Sequence, residues 1–279
     1  MKKNNSIDIL GVEIDQLTIT EANNSIAELV NNPPKNRSAV IVKPYVEFII
    51  AAQKDKTIEN ILNSADLCIA DGVSLQWAAS FIYGEPSRKV LKVPRSGLRW
   101  LQRSEWRNQI LPEKMAGATQ TKKLLETAEQ KGWRIGIIGG LNPPEDIRTA
   151  VLERFPKLQY VKTWKGFFEA EEIAQKSEES VVEEITNAKL DVLFVAMGFP
   201  RQEKFMERNK EKKLAKVLIG EGGTFDYTEM GGPIKRAPVW MQKSGVEWFW
   251  RLMRQPKRLR RQMAIPKFVW LVKKQAKRR

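Results

Sequence analysis

Three short stretches carry residue types that could do chemistry. Asp71 closes the apolar run Leu67–Ala70 and precedes Gly72 and a helix-forming segment. A carboxylate at such a strand exit can take a proton from an attacking hydroxyl. An aspartate there is also a common helix cap, worth about 1 kcal/mol. Position alone favours the cap, and the two roles are compatible. The second stretch is Gly198-Phe199-Pro200-Arg201-Gln202-Glu203, and the third is Gly222-Gly223-Thr224-Phe225-Asp226. Each follows a β-type run and joins glycines to polar side chains. On neighbouring strands the two turns would border a small-molecule crevice, and each is equally readable as an ordinary tight turn.

Composition removes several alternatives. The 279 residues contain no histidine, which excludes His-based triads and disfavours zinc. One cysteine, Cys68, forbids an internal disulfide, and its apolar surroundings suit a buried inert thiol. Gly136-Ile137-Ile138-Gly139-Gly140 is glycine-rich but lacks the dinucleotide fingerprint spacing, and no Walker A motif occurs. Nicotinamide chemistry is therefore a weak alternative. No apolar run of about 18 residues is present, so no spanning helix is expected, and the N-terminus lacks a signal-peptide core.

The elements that must position these residues alternate. Val192–Met197, after Asp191, is a short apolar run of the kind buried on both faces of a parallel sheet, and Gly198 and Pro200 end it. Lys216–Ile219 repeats the pattern one helix later. Further strands are expected at Ile7–Ile14, Ser38–Val42, Leu67–Ala70, Trp133–Ile138 and Leu158–Thr163. Helices are expected from Thr20 to about Val30, over Val46–Gln53, Thr57–Asn63, Val73–Ile82 and Glu169–Asn187, and after Pro143. Alternating strands and helices predict an α/β, Rossmann-like, mainly parallel sheet flanked by helices.

Charge divides the chain. Of the net +15, residues 233–279 hold 15 Lys or Arg against the single acid Glu247, or +14, leaving +1 for 1–232. The expected organisation is an α/β domain over 1–232, with 87–113 an insertion, and a basic α-helical C-terminal appendage over 233–279. Pro238–Gln255 can form a helix with Trp240, Ser244, Trp248 and Leu252 in one row. Tryptophan and phenylalanine interleaved with Arg and Lys suit an interfacial helix on anionic lipid. Nucleic acid is the competing polyanion, and a solvated basic tail is the bland alternative.

Six motifs then occur in order. They are Ala70-Asp71-Gly72 before a tryptophan-bearing helix, Lys165-Gly166-Phe167-Phe168, Ala196 to Glu203, Gly222 to Asp226, Lys235-Arg236-Ala237-Pro238, and Gly245-Val246-Glu247-Trp248 running through Arg251-Leu252 to Pro256-Lys257-Arg258. Together they closely resemble the WecG/TagA/CpsF glycosyltransferases, from Ile9 to about Met263. The resemblance implies an inverting transfer of an N-acetylhexosamine-type sugar from a UDP-sugar to a polyprenyl-diphosphate-linked sugar, in cell-surface polysaccharide or teichoic-acid-type synthesis. It implies no bound metal, no cofactor beyond the UDP-sugar, and work at the inner face of a bacterial membrane by a cytoplasmic, peripheral protein. No nucleic acid is expected, and a homo-oligomer is left open. The residue matching the family's proposed base is Asp71. Candidate substrate contacts are Lys43, Tyr45, Lys114, Gly139, Phe167, Gly198, Gln202, Glu203, Gly222, Gly223 and Asp226. Candidate diphosphate or headgroup contacts are Arg236, Arg251, Arg254, Lys257, Arg258 and Arg261.

The departures from that pattern are specific. Lys43-Pro44-Tyr45-Val46-Glu47 replaces Thr-Pro-Asn-x-Glu, Lys114 to Thr119 replaces Arg-Val-x-Gly-x-Asp, and Glu221 stands where an apolar residue is usual. Lysine for arginine keeps a charge and loses the bidentate fork. A non-catalytic or nucleic-acid-binding α/β protein using the basic tail is the alternative reading.

Overall fold

The structure is a computed structural model and describes residues 5–84, 110–113, 117–166, 171–244, 247–254 and 263–278. Side chains of 171–177, 242–248 and 251 lie outside that description. A hairpin opens the chain, β1 (Ser6–Ile9) and β2 (Val12–Asp15). This corrects the single strand expected over 7–14. Leu10 and Gly11 both take positive φ, 54° and 82°, and reverse the chain in two residues. Helix α1 (Ile19–Asn31) follows, its start fixed by a capping box between Thr18 and Glu21.

Six strands then build one parallel sheet: β3 (Ala39–Val42), β4 (Leu67–Cys68), β5 (Arg134–Gly139), β6 (Tyr160–Trp164), β7 (Leu190–Ala196) and β8 (Ala215–Gly220). Their spatial order is β4-β3-β8-β7-β5-β6, and every pairing is parallel. The intervening helices are α2 (Val46–Ala52), α3 (Lys56–Ser64), α4 (Val73–Tyr83), α5 (Gly117–Lys131), α6 (Pro144–Arg154), α7 (Glu171–Asn187) and α8 (Arg201–Asn209).

The period-two alternation of the strands divides the core into two layers. Val40, Val42, Ile138, Leu193, Val195 and Leu218 face a cluster holding Phe48, Leu62, Leu75 and Phe205. Ile41, Ile137, Val192, Phe194, Val217 and Ile219 face a second cluster holding Ile26, Leu124, Leu125 and Ile147. Both faces are thus covered, which is why the strands read as unbroken apolar runs.

The appendage is helical, with α9 (Val239–Ser244), α10 (Glu247–Arg254) and α11 (Ala264–Lys277). The region read as one helix over 238–255 is therefore two described helices. Helix α11 packs on α2 and α4 and buries Phe268 and Val272 in the first core layer. Its Gln275 side chain bonds the hairpin, accepting from the Leu10 N–H at 3.0 Å and donating to the Asp8 carbonyl at 3.2 Å. Among the described residues no helix is long and apolar enough to cross a membrane.

Candidate active site

Because all six strands are parallel, their carboxyl ends share one edge, where ligands bind in open α/β sheets. Asp71 follows β4, Lys43 and Tyr45 follow β3, and Glu221 to Asp226 follow β8. Gly198 and Gln202 follow β7, and Gly139 ends β5. The edge therefore brings together nearly all of the substrate-contact candidates within the described residues. Lys114, Phe167, Lys257, Arg258 and Arg261, and the side chain of Arg251, lie outside them.

Asp71 is not the helix cap that position favours. Gly72, with φ 84°, takes the cap position of α4 and has no side chain to cap it with. The Asp71 N–H donates to the Pro44 carbonyl at 2.8 Å, which fixes the residue against the exit of β3. An ideal Cβ on Gly117, at the start of α5, would lie 3.8 Å from Asp71 Oδ2, 3.7 Å from Thr224 Oγ1 and 4.0 Å from Lys43 Nζ. Those three groups, from three strand exits, border one small space.

Lys43 and Glu221 form a buried ion pair, Nζ to Oε1 at 2.6 Å, with side chains 7% and 0% exposed. Thr121 of α5 donates to the other Glu221 oxygen at 2.6 Å. The pair follows from register: Ile41 sits beside Ile219, so two residues further Lys43 reaches Glu221 on the same face. Burying one of these charges alone would cost several kcal/mol, roughly, and the partner removes most of that cost. The two strand-exit departures from the family pattern are thus each other's partner. Sequence reasoning placed Glu221 and Thr224 in a strand exit without naming either as a contact residue, and did not assign Thr121 or Gly117 to the site. Opposite charges at two strand exits were the only available signal.

Gln202 braces the neighbouring exits. Its Oε1 accepts from the Gly198 N–H at 3.1 Å and the Gly222 N–H at 2.9 Å. Gly198 and Gly222 adopt φ of 72° and 56°, and a Cβ on either would enter open space, so bare backbone borders the edge there. Gln202 Nε2 donates to Glu203 Oε1 at 2.7 Å, which sets which way the amide points. Both side chains are buried beneath the turns.

Among the described residues Glu203 Oε2 has no hydrogen-bond partner, and burial raises the carboxyl from the usual 4.5 to about 7, opposed in part by the bond from Gln202. The folded protein therefore holds this proton more tightly than the unfolded chain. That stabilisation is complete below about 4.5 and is lost as pH rises through about 7. Between pH 5 and pH 8, wild type should lose up to about 3 kcal/mol more stability than Glu203→Gln. Denaturant unfolding of both proteins at the two pH values checks this, and parallel curves would place the titration elsewhere.

Around the edge, Arg236 donates to Thr119 Oγ1 at 3.0 Å, on the first turn of α5. Trp250 Nε1 donates to the Lys235 carbonyl at 2.9 Å, and Arg254 lies 5.0 Å over the Trp250 ring, so α10 folds back on the 235–236 segment. Among the described residues no group of three or more Asp, Glu or Cys is placed to share a metal ion.

The fold and this edge define a Rossmann-like α/β protein whose polar groups converge at the strand exits. Comparison makes the class specific: the chain belongs to the Glycosyl transferase WecG/TagA/CpsF family, whose model matches residues 7–98 and 93–279. It is similar to the N-acetylglucosaminyldiphosphoundecaprenol N-acetyl-beta-D-mannosaminyltransferase of Bacillus subtilis (strain 168), 28% identical over 86% of this chain and 80% of the relative. The Staphylococcus aureus (strain MRSA252) protein of the same name is 27% identical over 98% of this chain and 94% of the relative.

Proposed function

We propose that the protein transfers an N-acetylhexosamine-type sugar from a UDP-sugar to a polyprenyl-diphosphate-linked sugar, with inversion and with Asp71 as the base. The observation that carries this reading is the convergence of Asp71 Oδ2, Thr224 Oγ1 and Lys43 Nζ at the carboxyl edge of a family member. The acceptor hydroxyl loses its proton to Asp71 as its oxygen attacks the anomeric carbon. The bond from that carbon to the UDP oxygen breaks with its electron pair, and UDP leaves. The names of the relatives supply the acceptor class, a sugar on diphosphoundecaprenol. Protein cations serve the diphosphates in this reading, among them Arg236, which bonds Thr119 on the first turn of α5. A lipid-anchored acceptor requires the enzyme to work at the membrane surface as a peripheral protein.

Gly198, Gly222, Gly223 and Asp226 lie on adjacent exits and are assigned to the UDP-sugar. UDP at about a hundred times its Kd should raise stability by about 2.7 kcal/mol through mass action, seen as a higher melting temperature. NAD should give no shift. Absence of a shift at millimolar UDP, with and without lipid, would count against the donor. Transfer from UDP-N-acetylhexosamines to a polyprenyl-diphosphate-linked N-acetylglucosamine tests the reaction itself.

A further inference from the structure

Lys43 is a buried ammonium with hydrogen-bonding capacity to spare. It carries three N–H donors. One meets Glu221 Oε1 at 2.6 Å, and a second reaches Thr121 Oγ1 only at 3.5 Å. Among the described residues it has no further partner. Buried polar groups are nearly always satisfied, so a charge left short of partners points to a ligand. The neighbouring groups say where that ligand sits. Thr224 donates its hydroxyl proton to the Glu221 carbonyl at 3.1 Å and so offers only lone pairs to the space beside Gly117. Asp71 Oδ2 borders the same space and, as the base, is an acceptor. Of the three groups there, Lys43 alone brings a proton donor and a positive charge.

We propose that Lys43 is a further catalytic residue, whose ammonium binds the acceptor oxygen that Asp71 deprotonates. This rests on the glycosyl-transfer reading above. As the O–H bond breaks, the proton passes to Asp71. The oxygen's electron pair forms the new glycosidic bond, and the old bond's pair leaves with UDP. Lys43 keeps its proton throughout. Its charge stabilises the alkoxide character that develops on the attacking oxygen, the kind of preorganised electrostatic help that is strongest in a dry site. Glu221 and Thr121 hold the ammonium in place. Such a device suits an acceptor whose reacting group is a sugar hydroxyl, a weak nucleophile until its proton is removed.

The single change Lys43→Met would leave Glu221 buried without its counter-charge and would confuse folding with catalysis. The informative protein is Lys43→Met/Glu221→Met, because replacing a whole buried pair by apolar side chains is commonly neutral or stabilising. It should melt at or above the wild-type temperature and keep its UDP-induced shift. Its kcat should nevertheless fall by about a hundredfold or more, with the acceptor KM changed little. A folded, UDP-binding double variant with kcat within about threefold of wild type would overturn the role and leave the pair purely structural. A wild type that binds UDP and transfers nothing would overturn the glycosyl-transfer reading, and the role of Lys43 with it.

Discussion

Asp71→Asn should lower turnover by about two to four orders of magnitude while the protein stays folded. Asparagine keeps the size and hydrogen-bonding shape of the side chain and cannot accept the proton of an attacking hydroxyl. The structure makes this test cleaner than position in the sequence promises. Gly72, not Asp71, occupies the helix cap position. The bond from the Asp71 backbone N–H to the Pro44 carbonyl does not involve the side chain and survives the change. Lys43 and Glu221 balance each other's charge, so losing the Asp71 carboxylate does not strand a buried cation. Melting temperature and UDP shift should stay near wild type, and the loss should fall on kcat. A folded Asp71→Asn protein turning over at the wild-type rate would remove Asp71 as the base.

The architecture was legible where a residue's environment depends on its near neighbours in the chain. Unbroken runs such as Val192–Ala196 declare burial on both faces, and a glycine after each marks the exit. The adjacency of β7 and β8 follows from one intervening helix. What escaped depends on distant contacts or on polar burial. Helix α5 was not assigned, because its buried face begins with Gln120 and Thr121 before Leu124, Leu125 and Ala128 supply an apolar stripe. Of these, Thr121 meets Lys43 and Glu221, so a residue that hides the helix from an apolar pattern also ties it to two strand exits. The hairpin was read as one strand because its turn puts a leucine at positive φ, a position that usually selects glycine or asparagine. The Lys43–Glu221 pair needs the register between β3 and β8, residues 178 apart in the chain. Each residue alone reads as a departure from the family pattern, and together they read as one substitution.

Neutralising the outer face of α11 should weaken binding to anionic lipid by about a hundredfold, from about 1 kcal/mol for each of three lysines. Helix α11 has two unlike faces. Phe268 and Val272 are buried against the α/β domain, while Lys267, Trp270, Lys273 and Lys274 are exposed. Trp270 is 59% exposed, and Lys274 lies 5.3 Å over its ring. The same character extends over the other appendage helices. Among the described residues the exposed large hydrophobic side chains are Val239, Trp240, Phe249, Met253, Met263 and Trp270, with only Leu141 outside the appendage. Exposed apolar rings set among basic side chains match the two attractions that hold a peripheral protein on lipid, buried apolar area and headgroup charge. Truncation near Gly232 is a poor test, because it would uncover the core beneath Phe268 and break the Gln275 bonds to the hairpin. The surface variant Lys267→Gln/Trp270→Ser/Lys273→Gln/Lys274→Gln leaves those contacts in place. Co-sedimentation with phosphatidylglycerol and phosphatidylcholine vesicles should show wild type preferring the anionic vesicles and the variant losing that preference at an unchanged melting temperature. A short oligonucleotide should compete weakly. Equal lipid binding by both proteins would remove α11 from the membrane face, and oligonucleotide binding without any preference for anionic vesicles would favour a nucleic-acid role for the basic appendage.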